Sequence, residues 1–405
     1  MFHRLMACTL LSLIATLPCA AQGAGFFPLE FLPDGSLPQV VGISNDGSVL
    51  LAQGGSAAYL WRRGTGWTAL PPVNAPVTDL SGNGEVVSAA RYTNSSVFRW
   101  TQASGWQQLP EPDQLTPPAS AVLNDDGSRM AFAVYHPFPP NGSSPRAVFW
   151  DGQVRTLGSQ PFYSIQDAGR GLSYCAIRYA SGLNTAYGAG PSGSAVSLPL
   201  PISGSYVATD SASHAISSNG RYVIASVVVY TPASTGPFTF FWDSTSGVST
   251  MLSTLSSLPR AVTSGGIVLS SNGQFGSIHE PQHQPVTTDT FLALRGAAVP
   301  AYWNSALAQF ISDDGATVVG TATHEYGLGQ FRTELWIARF CRPVDFNHDG
   351  LFPDTADIDD FLLVFAGSPC STTECEFIDF NNDGLFPDTL DIDSFLSVFS
   401  GGPCL

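Results

Sequence analysis

A short turn motif recurs through residues 26–340 and constrains the fold more than any other feature of the sequence. Each copy places Ser, Asn or Asp residues before a Gly, and successive copies begin 37 to 53 residues apart. The copies lie at residues 44–47, 81–84, 124–127, 217–220, 270–273 and 312–315, with a degenerate fourth member at 167–169. The pattern therefore indicates seven repeated units.

Each turn precedes a run of β-branched or small residues and then a second run that contains aromatic residues. These aromatic runs include Tyr59-Leu60-Trp61, Phe98-Arg99-Trp100, Phe149-Trp150, Phe240-Phe241-Trp242 and Leu335-Trp336. Asn-Gly and Asp-Gly turns supply the positive φ that tight hairpins need. Units of roughly 40 residues with about four short strands are typical of β-propeller blades. We predict an all-β, seven-bladed β-propeller; an error in the fourth unit would change the count to six or eight.

The two ends of the repeat region predict how the propeller closes. The first two units end in a Gly-Trp strand, at residues 66–71 and 105–110, whereas the last unit lacks this strand. Residues 25–30, Gly-Phe-Phe-Pro-Leu-Glu, lie before the first unit. We expect this N-terminal strand to complete the seventh blade, because closure leaves no open sheet edge.

One unit also resembles a known repeat family. Residues 310–320, Phe-Ile-Ser-Asp-Asp-Gly-Ala-Thr-Val-Val-Gly, followed by a later aromatic strand, resemble the HAF repeat of secreted bacterial proteins. The resemblance covers about 300 residues loosely. It implies a propeller-like extracellular protein and assigns no catalytic residue.

Residues 341–405 contain a second, different repeat, in which one module occurs twice with an offset of 34 residues. Each copy has oxygen-bearing side chains at loop positions 1, 3 and 5, then Gly at position 6, and an apolar helix-like run after the loop. This order of residues begins an EF-hand-type calcium loop, because Ca²⁺ needs six to eight hard oxygen ligands around a sharp turn. Two copies in register predict two calcium sites.

The predicted ligands allow for one residue inserted near Pro353 and Pro387, because position 12 of the usual loop is apolar in both copies. The first site comprises Asp345, Asn347, Asp349, Asp354 and Asp357, and the second comprises Asp379, Asn381, Asp383, Asp388 and Asp391. Asp359 and Asp393 are reserve ligands or first-turn acids favoured by the helix dipole. The segment has thirteen acids and one Arg, and bound cations would relieve their repulsion.

This tail resembles the type I dockerin module, in particular the Cys-flanked variety found on secreted bacterial proteins. The shared residues are Asp-Phe-Asn-Asn-Asp-Gly-Leu-Phe-Pro-Asp-Thr at 379–389 and the terminal Gly-Gly-Pro-Cys. The resemblance implies a small α-helical module with two calcium loops that docks onto a cohesin-like or other cell-envelope protein. Loop positions 10 and 11 are Asp-Thr in both copies, whereas Ser-Thr is commoner in dockerins.

The N-terminus predicts export. Arg4, an apolar run at residues 10–17 and small residues before Gln22 are typical of a signal peptide. We therefore divide the chain into a signal peptide at 1–21, a propeller domain at 22–340 and a dockerin-like module at 341–405. No long apolar run follows residue 21, so no transmembrane segment is expected in the exported chain.

Five cysteines follow the signal peptide, and four of them flank the calcium repeats. An oxidising compartment favours disulfides among these four, for which three pairings are possible. Antiparallel packing of the repeats favours Cys341 with Cys404 and Cys370 with Cys375 over pairing within each repeat. We expect the fifth, Cys175, to be a small buried residue rather than a catalytic thiol.

The body shows no catalytic signature. A Gly-x-Ser-x-Gly nucleophile elbow and a phosphate loop are both missing from the sequence. The most site-like groups are His279-Glu280 with His283, a weak zinc candidate, and His324-Glu325-Tyr326. Most of the net charge of −16 lies in the tail, and an acidic chain does not suit nucleic acid.

Two functions follow from these observations. The first is a secreted, non-catalytic binding or display protein, whose propeller binds a polysaccharide or a protein and whose tail docks. The alternative is an extracellular carbohydrate-active enzyme, a hydrolase or lyase, localised by its tail. Turnover of a polysaccharide would distinguish the two.

Calcium should order the tail, because the ligands of an unfolded loop cannot form a site beforehand. We expect calcium to raise the tail's helicity and thermal stability, and Asp345→Ala with Asp379→Ala to abolish both effects. Circular dichroism with calcium or EDTA measures this, with Glu85→Ala as the control. Helicity and stability that ignore EDTA and both substitutions would contradict the calcium assignment.

Overall fold

The computed structural model describes most of the chain after residue 24. The described residues are 25–55, 57–91, 96–110, 121–138, 142–157, 162–168, 174–180, 183–189, 195–197, 207–230, 235–252, 258–271, 276–281, 284–327, 329–342, 344, 346–347, 354–371, 375, 378–383, 385 and 387–400. Within them are twenty-eight strands and three short helices. The body is all-β, as predicted, and the predicted signal peptide lies outside the described residues.

The strands form seven four-stranded antiparallel sheets, of which six are consecutive along the chain. The first strand, β1 (Gly25–Pro28), belongs to the last sheet. Sheet 1 contains β2 (Gln39–Ile43), β3 (Val49–Gly54), β4 (Ala57–Arg62) and β5 (Gly66–Ala69). Sheet 2 contains β6 (Val77–Leu80), β7 (Val86–Arg91), β8 (Ser96–Thr101) and β9 (Gly105–Gln108). Sheet 3 contains β10 (Ala121–Leu123), β11 (Met130–Phe138), β12 (Gly142–Trp150) and β13 (Val154–Leu157).

The later sheets repeat the same order. Sheet 4 contains β14 (Phe162–Ala168), β15 (Tyr174–Ala180), β16 (Leu183–Ala189) and β17 (Ala195–Ser197). Sheet 5 contains β18 (Val207–Ile216), β19 (Tyr222–Tyr230), β20 (Thr235–Asp243) and β21 (Val248–Met251). Sheet 6 contains β22 (Leu258–Val262), β23 (Val268–Ser271), β24 (Gly276–His279) and β25 (Val286–Thr287). Sheet 7 contains β26 (Trp303–Ile311), β27 (Thr317–Gly327), β28 (Gln330–Arg339) and β1. The aromatic runs lie on the third strand of their sheets.

The repeated turns join the first two strands of their sheets through one hydrogen-bond pattern. In sheet 1, Ser44 Oγ donates to Asp46 Oδ1 (2.6 Å) and accepts from Val49 N (2.9 Å). Gly47 has a φ of +67° and donates its N–H to Ser44 O. A Cβ on Gly47 would lie 2.3 Å from Thr317 Oγ1 of sheet 7. Gly is therefore required both for the turn and for close contact with the neighbouring sheet.

The first strands of successive sheets contact each other, which gives the body a propeller-like arrangement. β2 contacts β6, β6 contacts β10, and the series continues to β26, which contacts β2. Apolar side chains fill the space between sheets; between sheets 7 and 1 they include Leu50, Trp61, Val319 and Ile337. Burial of these side chains provides the main stabilisation between sheets.

The N-terminal strand adds to the last sheet, as the sequence predicts. β1 pairs antiparallel with β28, from Gly25 opposite Arg339 to Pro28 opposite Trp336. Phe26 stacks on Trp336 with ring centroids 5.2 Å apart. β1 thus takes the place of the fourth strand that the last repeat lacks.

The prediction for the sixth turn is wrong. Ser270 and Ser271, placed in that turn, lie in β23, and residues 272–275 lie outside the described residues. The turn that matches the others is at 263–266, where Thr263 Oγ1 accepts from Ile267 N (3.1 Å) and Gly266 N donates to Thr263 O. Sequence analysis missed it because Thr-Ser-Gly-Gly has no Asn or Asp before its last Gly.

A short helix also interrupts the pattern. The helix α1 (Thr288–Leu294) follows β25 and begins at Thr287, whose side chain accepts from Thr290 N. Its buried Phe291 and Leu292 join the apolar cluster of sheets 6 and 7. The repeat pattern did not predict this helix.

The tail contains the two predicted helices, α2 (Thr355–Phe365) and α3 (Thr389–Phe399). Their core includes four buried phenylalanines at equivalent places in the two repeats: Phe346, Phe361, Phe380 and Phe395. The rings of Phe361 and Phe395 stack 4.2 Å apart at 5°. The two repeats therefore bury their apolar faces against each other.

Removing residues 26–33 should destabilise the body, because it removes β1 and the buried side chains of Leu29 and Leu32. We expect a loss of more than about 3 kcal/mol, by analogy with large truncations in protein cores. Chemical denaturation measures the change. Glu30→Ala is the control, because this exposed residue should alter stability by less than about 0.5 kcal/mol. Unchanged stability in the deletion would show that β1 is dispensable.

Candidate functional site

The second acidic loop, residues 379–391, gathers most of its predicted ligands at one place. Asp383 N donates to Asp379 Oδ1 (2.9 Å) and to Asn381 Oδ1 (3.1 Å), and Asn381 Nδ2 donates to Asp383 Oδ2 (3.1 Å). All three side chains are buried. The loop therefore holds two carboxylates and an amide close together and away from solvent.

Two further predicted ligands join this loop to its helix. Asp388 caps α3 by accepting from Leu390 N, and Asp391 completes the capping box by accepting from Asp388 N (3.0 Å). The other oxygen of Asp391 accepts from Phe380 N (2.8 Å). Asp391 therefore brings the start of the loop against the start of the helix.

The first acidic loop, residues 345–357, shows the same closure in its described part. Asp357 accepts from Phe346 N (2.8 Å) and from the cap residue Asp354 (3.0 Å). Asn347 is buried and donates to Asp360 (3.1 Å). Of the predicted ligands of this site, Asp345 and Asp349 lie outside the described residues.

Some acids of the tail have other roles. The reserve ligands Asp359 and Asp393 are exposed in the second turns of α2 and α3, so they are not the first-turn acids of these helices. Asp360, which sequence analysis did not single out, is buried and accepts from Ser371 N (3.0 Å) as well as from Asn347. It thus connects the first loop to the segment after α2.

The charges of the second acidic loop fit a hard cation. Burial and the nearby negative charge of Asp379 raise the pKa of Asp391 to about 6. Buried carboxylates are costly unless positive charge lies near them. Oxygen donors of this kind are the ligands that Ca²⁺ takes. The residues present are therefore compatible with the calcium site that the resemblance implies.

A sulfur-containing metal site is not supported in the described part of the tail. Asp360, Cys370 and Cys375 lie close enough together to share an ion, but Cys370 and Cys375 form a disulfide. This pair confirms one half of the favoured cysteine connectivity. Cys341 is also disulfide-bonded, and its expected partner Cys404 lies outside the described residues.

The body contacts the second acidic loop directly. Arg63 donates to Asp379 Oδ2 (3.3 Å) and to Asn382 O (2.9 Å) and Oδ1 (2.6 Å). Arg342 donates to Asp379 O (2.9 Å) and to Asp314 Oδ2 (2.6 Å) in a repeated turn. Asn382 donates to Ala316 O (3.2 Å). Two cations of the chain therefore lie beside the loop's acids.

Besides having Leu390 in place of Ala356, the second loop differs from the first at Asn382. It has a φ of +56°, a conformation that Asn adopts more readily than most residues. The equivalent residue in the first loop is His348. The contact between Asn382 and the body was not predicted, although the change from His348 to Asn382 at an otherwise repeated position indicates that the two loops are not equivalent.

The repeated turns converge at the centre of the body. Asn45 donates to Asp125 Oδ1 (2.8 Å), Ser218 Oγ donates to Asn45 Oδ1 (3.0 Å), and Ser264 donates to Asp313 through N (2.7 Å) and Oγ (2.6 Å). Each of these bonds joins different sheets. Such polar contacts fix the positions of the sheets relative to one another where their first strands meet.

A cavity of about 230 Å³ lies among these first strands. Its charged or titratable lining residues are Asp79, Asp125, His214, Arg260 and Asp313. Asp79 Oδ2 accepts from Leu123 N of the next sheet (2.7 Å), and burial raises the pKa of Asp313. These two carboxylates therefore take part in contacts between sheets.

His214 is the titratable ring in this cavity. Its Nε2 lies 2.8 Å from Ser226 Oγ. Burial and, to a lesser extent, the positive charge of Arg260 lower its pKa to about 4. His214 is consequently neutral at pH 7 and suits a hydrogen-bonding role.

The two site-like groups from the sequence belong to different sheets in the structure. His279 is buried in sheet 6, and Glu280 forms an ion pair with Arg295. His283, the other half of the zinc candidate, lies outside the described residues. His324 lies in sheet 7, where Nδ1 is 3.0 Å from Glu334 Oε1.

The comparisons with known proteins identify a fold only. No protein-family model matches the chain, and no curated protein matches it significantly. An oligogalacturonate lyase in complex with manganese is 14% identical, with a TM-score of 0.51, over 78% of this chain and 98% of the other. The oligogalacturonate lyase of Vibrio parahaemolyticus is 10% identical, with a TM-score of 0.52, over 78% and 97%.

A weaker likeness is to TolB of Acinetobacter baumannii, at 13% identity and a TM-score of 0.40 over 62% of this chain and 63% of that one. The two lyases support the propeller-like arrangement of the body. No helix in the described part of the chain is long and apolar enough to cross a membrane.

Stability should fall on acidification through His214. The unfolded ring binds its proton near pH 6.5 and the folded ring only near pH 4, so the unfolded state binds more protons between these values. The free energy of unfolding should therefore decrease by up to about 3 kcal/mol as the pH falls from 6.5 to 4.

Denaturation curves of the wild type and His214→Gln over this range measure the effect. The variant should show a shallower loss of stability. Arg260→Met should also reduce the loss, because removing the nearby positive charge raises the pKa of His214. Equal pH profiles for all three proteins would contradict the assignment.

Proposed function

We propose that the chain is a secreted, non-catalytic binding and display protein, with a seven-bladed propeller body and a calcium-stabilised docking tail. The observation that carries this proposal is the second acidic loop. It gathers Asp379, Asn381 and Asp383 in a buried place, closes against α3 through Asp391, and contacts the body through Arg63. Such a loop suits a structural cation rather than a reaction centre.

The tail supports two calcium sites with equivalent ligands. Both loops close through an Asp that accepts from the loop's second residue and from the helix cap. The proposed ligands are Asp345, Asn347, Asp349, Asp354 and Asp357 in the first site and Asp379, Asn381, Asp383, Asp388 and Asp391 in the second. Calcium would supply the positive charge that the buried acids require.

The helices of the tail support a docking role. Leu362 in α2 and Leu396 in α3 occupy equivalent positions, and 47% and 46% of their respective surfaces are exposed. Leu363 and Leu390 are exposed on the same two helices. Exposed apolar side chains in a small acidic module favour a protein partner. We propose a cohesin-like or other cell-envelope docking protein.

The body supports a rigid closed propeller. Seven four-stranded sheets, the contact between β2 and β26 and the pairing of β1 with β28 are the expected features of a ring. Closure by strands from both ends of the body makes the body suitable for display of a binding surface outside the cell.

The alternative is an extracellular carbohydrate-active enzyme, a hydrolase or lyase. It is favoured by the fold likeness to two oligogalacturonate lyases, one of them in complex with manganese, and by the charged cavity at the centre of the sheets. The contacts of Asp79 and Asp313 with neighbouring sheets favour a structural role for these groups instead.

Incubation of the calcium-loaded protein with algal and bacterial polysaccharides separates the two functions. We expect the polysaccharide to retain the protein without releasing products, as read by mass spectrometry of reducing and unsaturated ends. Arg260→Met with His214→Gln is the matched variant for the cavity. Product release by the wild type that this variant loses would establish the enzyme instead.

A further inference from the structure

The last sheet carries an unusual group of exposed aromatic residues. Its strands β27 and β28 have 11 and 10 residues. Among the exposed large apolar residues of the described chain, three are aromatic: Tyr302, Tyr326 and Phe331, which expose 53%, 52% and 55% of their surfaces. All three lie in sheet 7 or just before it.

Two of these aromatic residues share one face of the sheet with polar groups. His324 and Arg332 are opposite each other in β27 and β28, so their side chains lie on the same face. The ring of Tyr302 lies 5.4 Å from that of His324, and Arg332 Cζ lies 4.8 Å from the ring of Tyr326. Phe331 precedes Arg332 in the strand and therefore points to the other face.

The polar groups between the two tyrosines are held in place from below. Glu334 is buried; it accepts from His324 Nδ1 (3.0 Å) and forms an ion pair with Arg332. Trp303 stacks on His324 with centroids 4.5 Å apart at 7°. Arg332 also lies over Phe31, 4.9 Å from its ring. Fixed side chains lose little entropy when they bind a ligand.

These contacts define an aromatic strip of Tyr302, His324, Arg332 and Tyr326, supported by Glu334. Sugar rings have one apolar face of C–H groups that packs on aromatic rings and hydroxyls that hydrogen-bond at their edges. The tyrosines supply the rings, and Arg332 supplies several N–H donors in a plane. Arg332 is 46% exposed, so its donors reach a ligand.

The charges of the strip select the class of sugar. Glu334 balances the charge of Arg332, so these two residues together add no net charge to the strip. An acidic polysaccharide would therefore find no net positive charge on the strip to attract it. We propose that the aromatic strip binds a neutral polysaccharide. This inference rests on the proposed binding function of the body and is independent of the calcium sites.

Affinity electrophoresis of the full-length protein tests the proposal. Neutral β-glucan, mannan and xyloglucan are the probes, with alginate and polygalacturonate as acidic controls. We expect at least one neutral chain to retard the wild type, and Tyr302→Ala and Tyr326→Ala to weaken binding about tenfold each through loss of one stacked ring. Tyr302→Phe should keep most of the affinity, because it keeps the ring.

Phe331→Ala is the matched control, because this residue is equally exposed on the same hairpin but faces away from the strip. It should bind like the wild type, and melting curves should show that all variants are folded. Retardation by acidic chains only, no retardation by any neutral probe, or an equal loss in Phe331→Ala would overturn the proposal. Retardation that neither tyrosine variant changes would refute the strip and leave the proposed binding function intact.

Discussion

The pairing of β1 with β28 is the interaction on which the rest of the body depends. The last repeat supplies three strands of sheet 7, and residues 25–28 supply the fourth from the opposite end of the body. Without them, an edge of β28 and the apolar side chains around Trp336 would face solvent. A sheet completed by both ends also explains how seven units of unequal length form one body, because no unit at either end of the series is left without a neighbour.

The same part of the body holds the tail. The first and last repeated turns lie beside each other where Gly47 meets Thr317, and Arg63, Arg342 and Asn382 join this region to the second acidic loop. The acidic loop thus lies next to two arginines, which offset part of the charge of its carboxylates. We therefore expect the two acidic loops to differ in affinity for a cation even though their proposed ligands are equivalent.

Three surfaces of the protein carry different chemistry. The central cavity is lined by charged groups, of which the carboxylates also connect the sheets. The tail helices expose leucines, and the aromatic strip combines rings with a fixed ion pair. Polar groups engaged in contacts between sheets are poorly suited to change partners during a reaction. The aromatic strip and the tail leucines, in contrast, have exposed surfaces that a partner can cover without breaking contacts between sheets. This difference between the cavity and the two exposed surfaces is the physical basis of the proposed binding function.

The sequence by itself determined most strands, most repeated turns and the two tail helices, because local patterns of Gly, Asp and apolar residues specify each of them. It also indicated the added N-terminal strand, from the strand that the last repeat lacks, and favoured the Cys370–Cys375 pair among three possible pairings. It misplaced the sixth turn, where Thr263 replaces the usual Ser. Only the tertiary structure decided the contact of Arg63 with Asp379, 316 residues apart, and the assembly of Tyr302, His324, Arg332 and Tyr326. Such contacts depend on how distant strands and loops lie in space, and no local pattern of residues records that geometry.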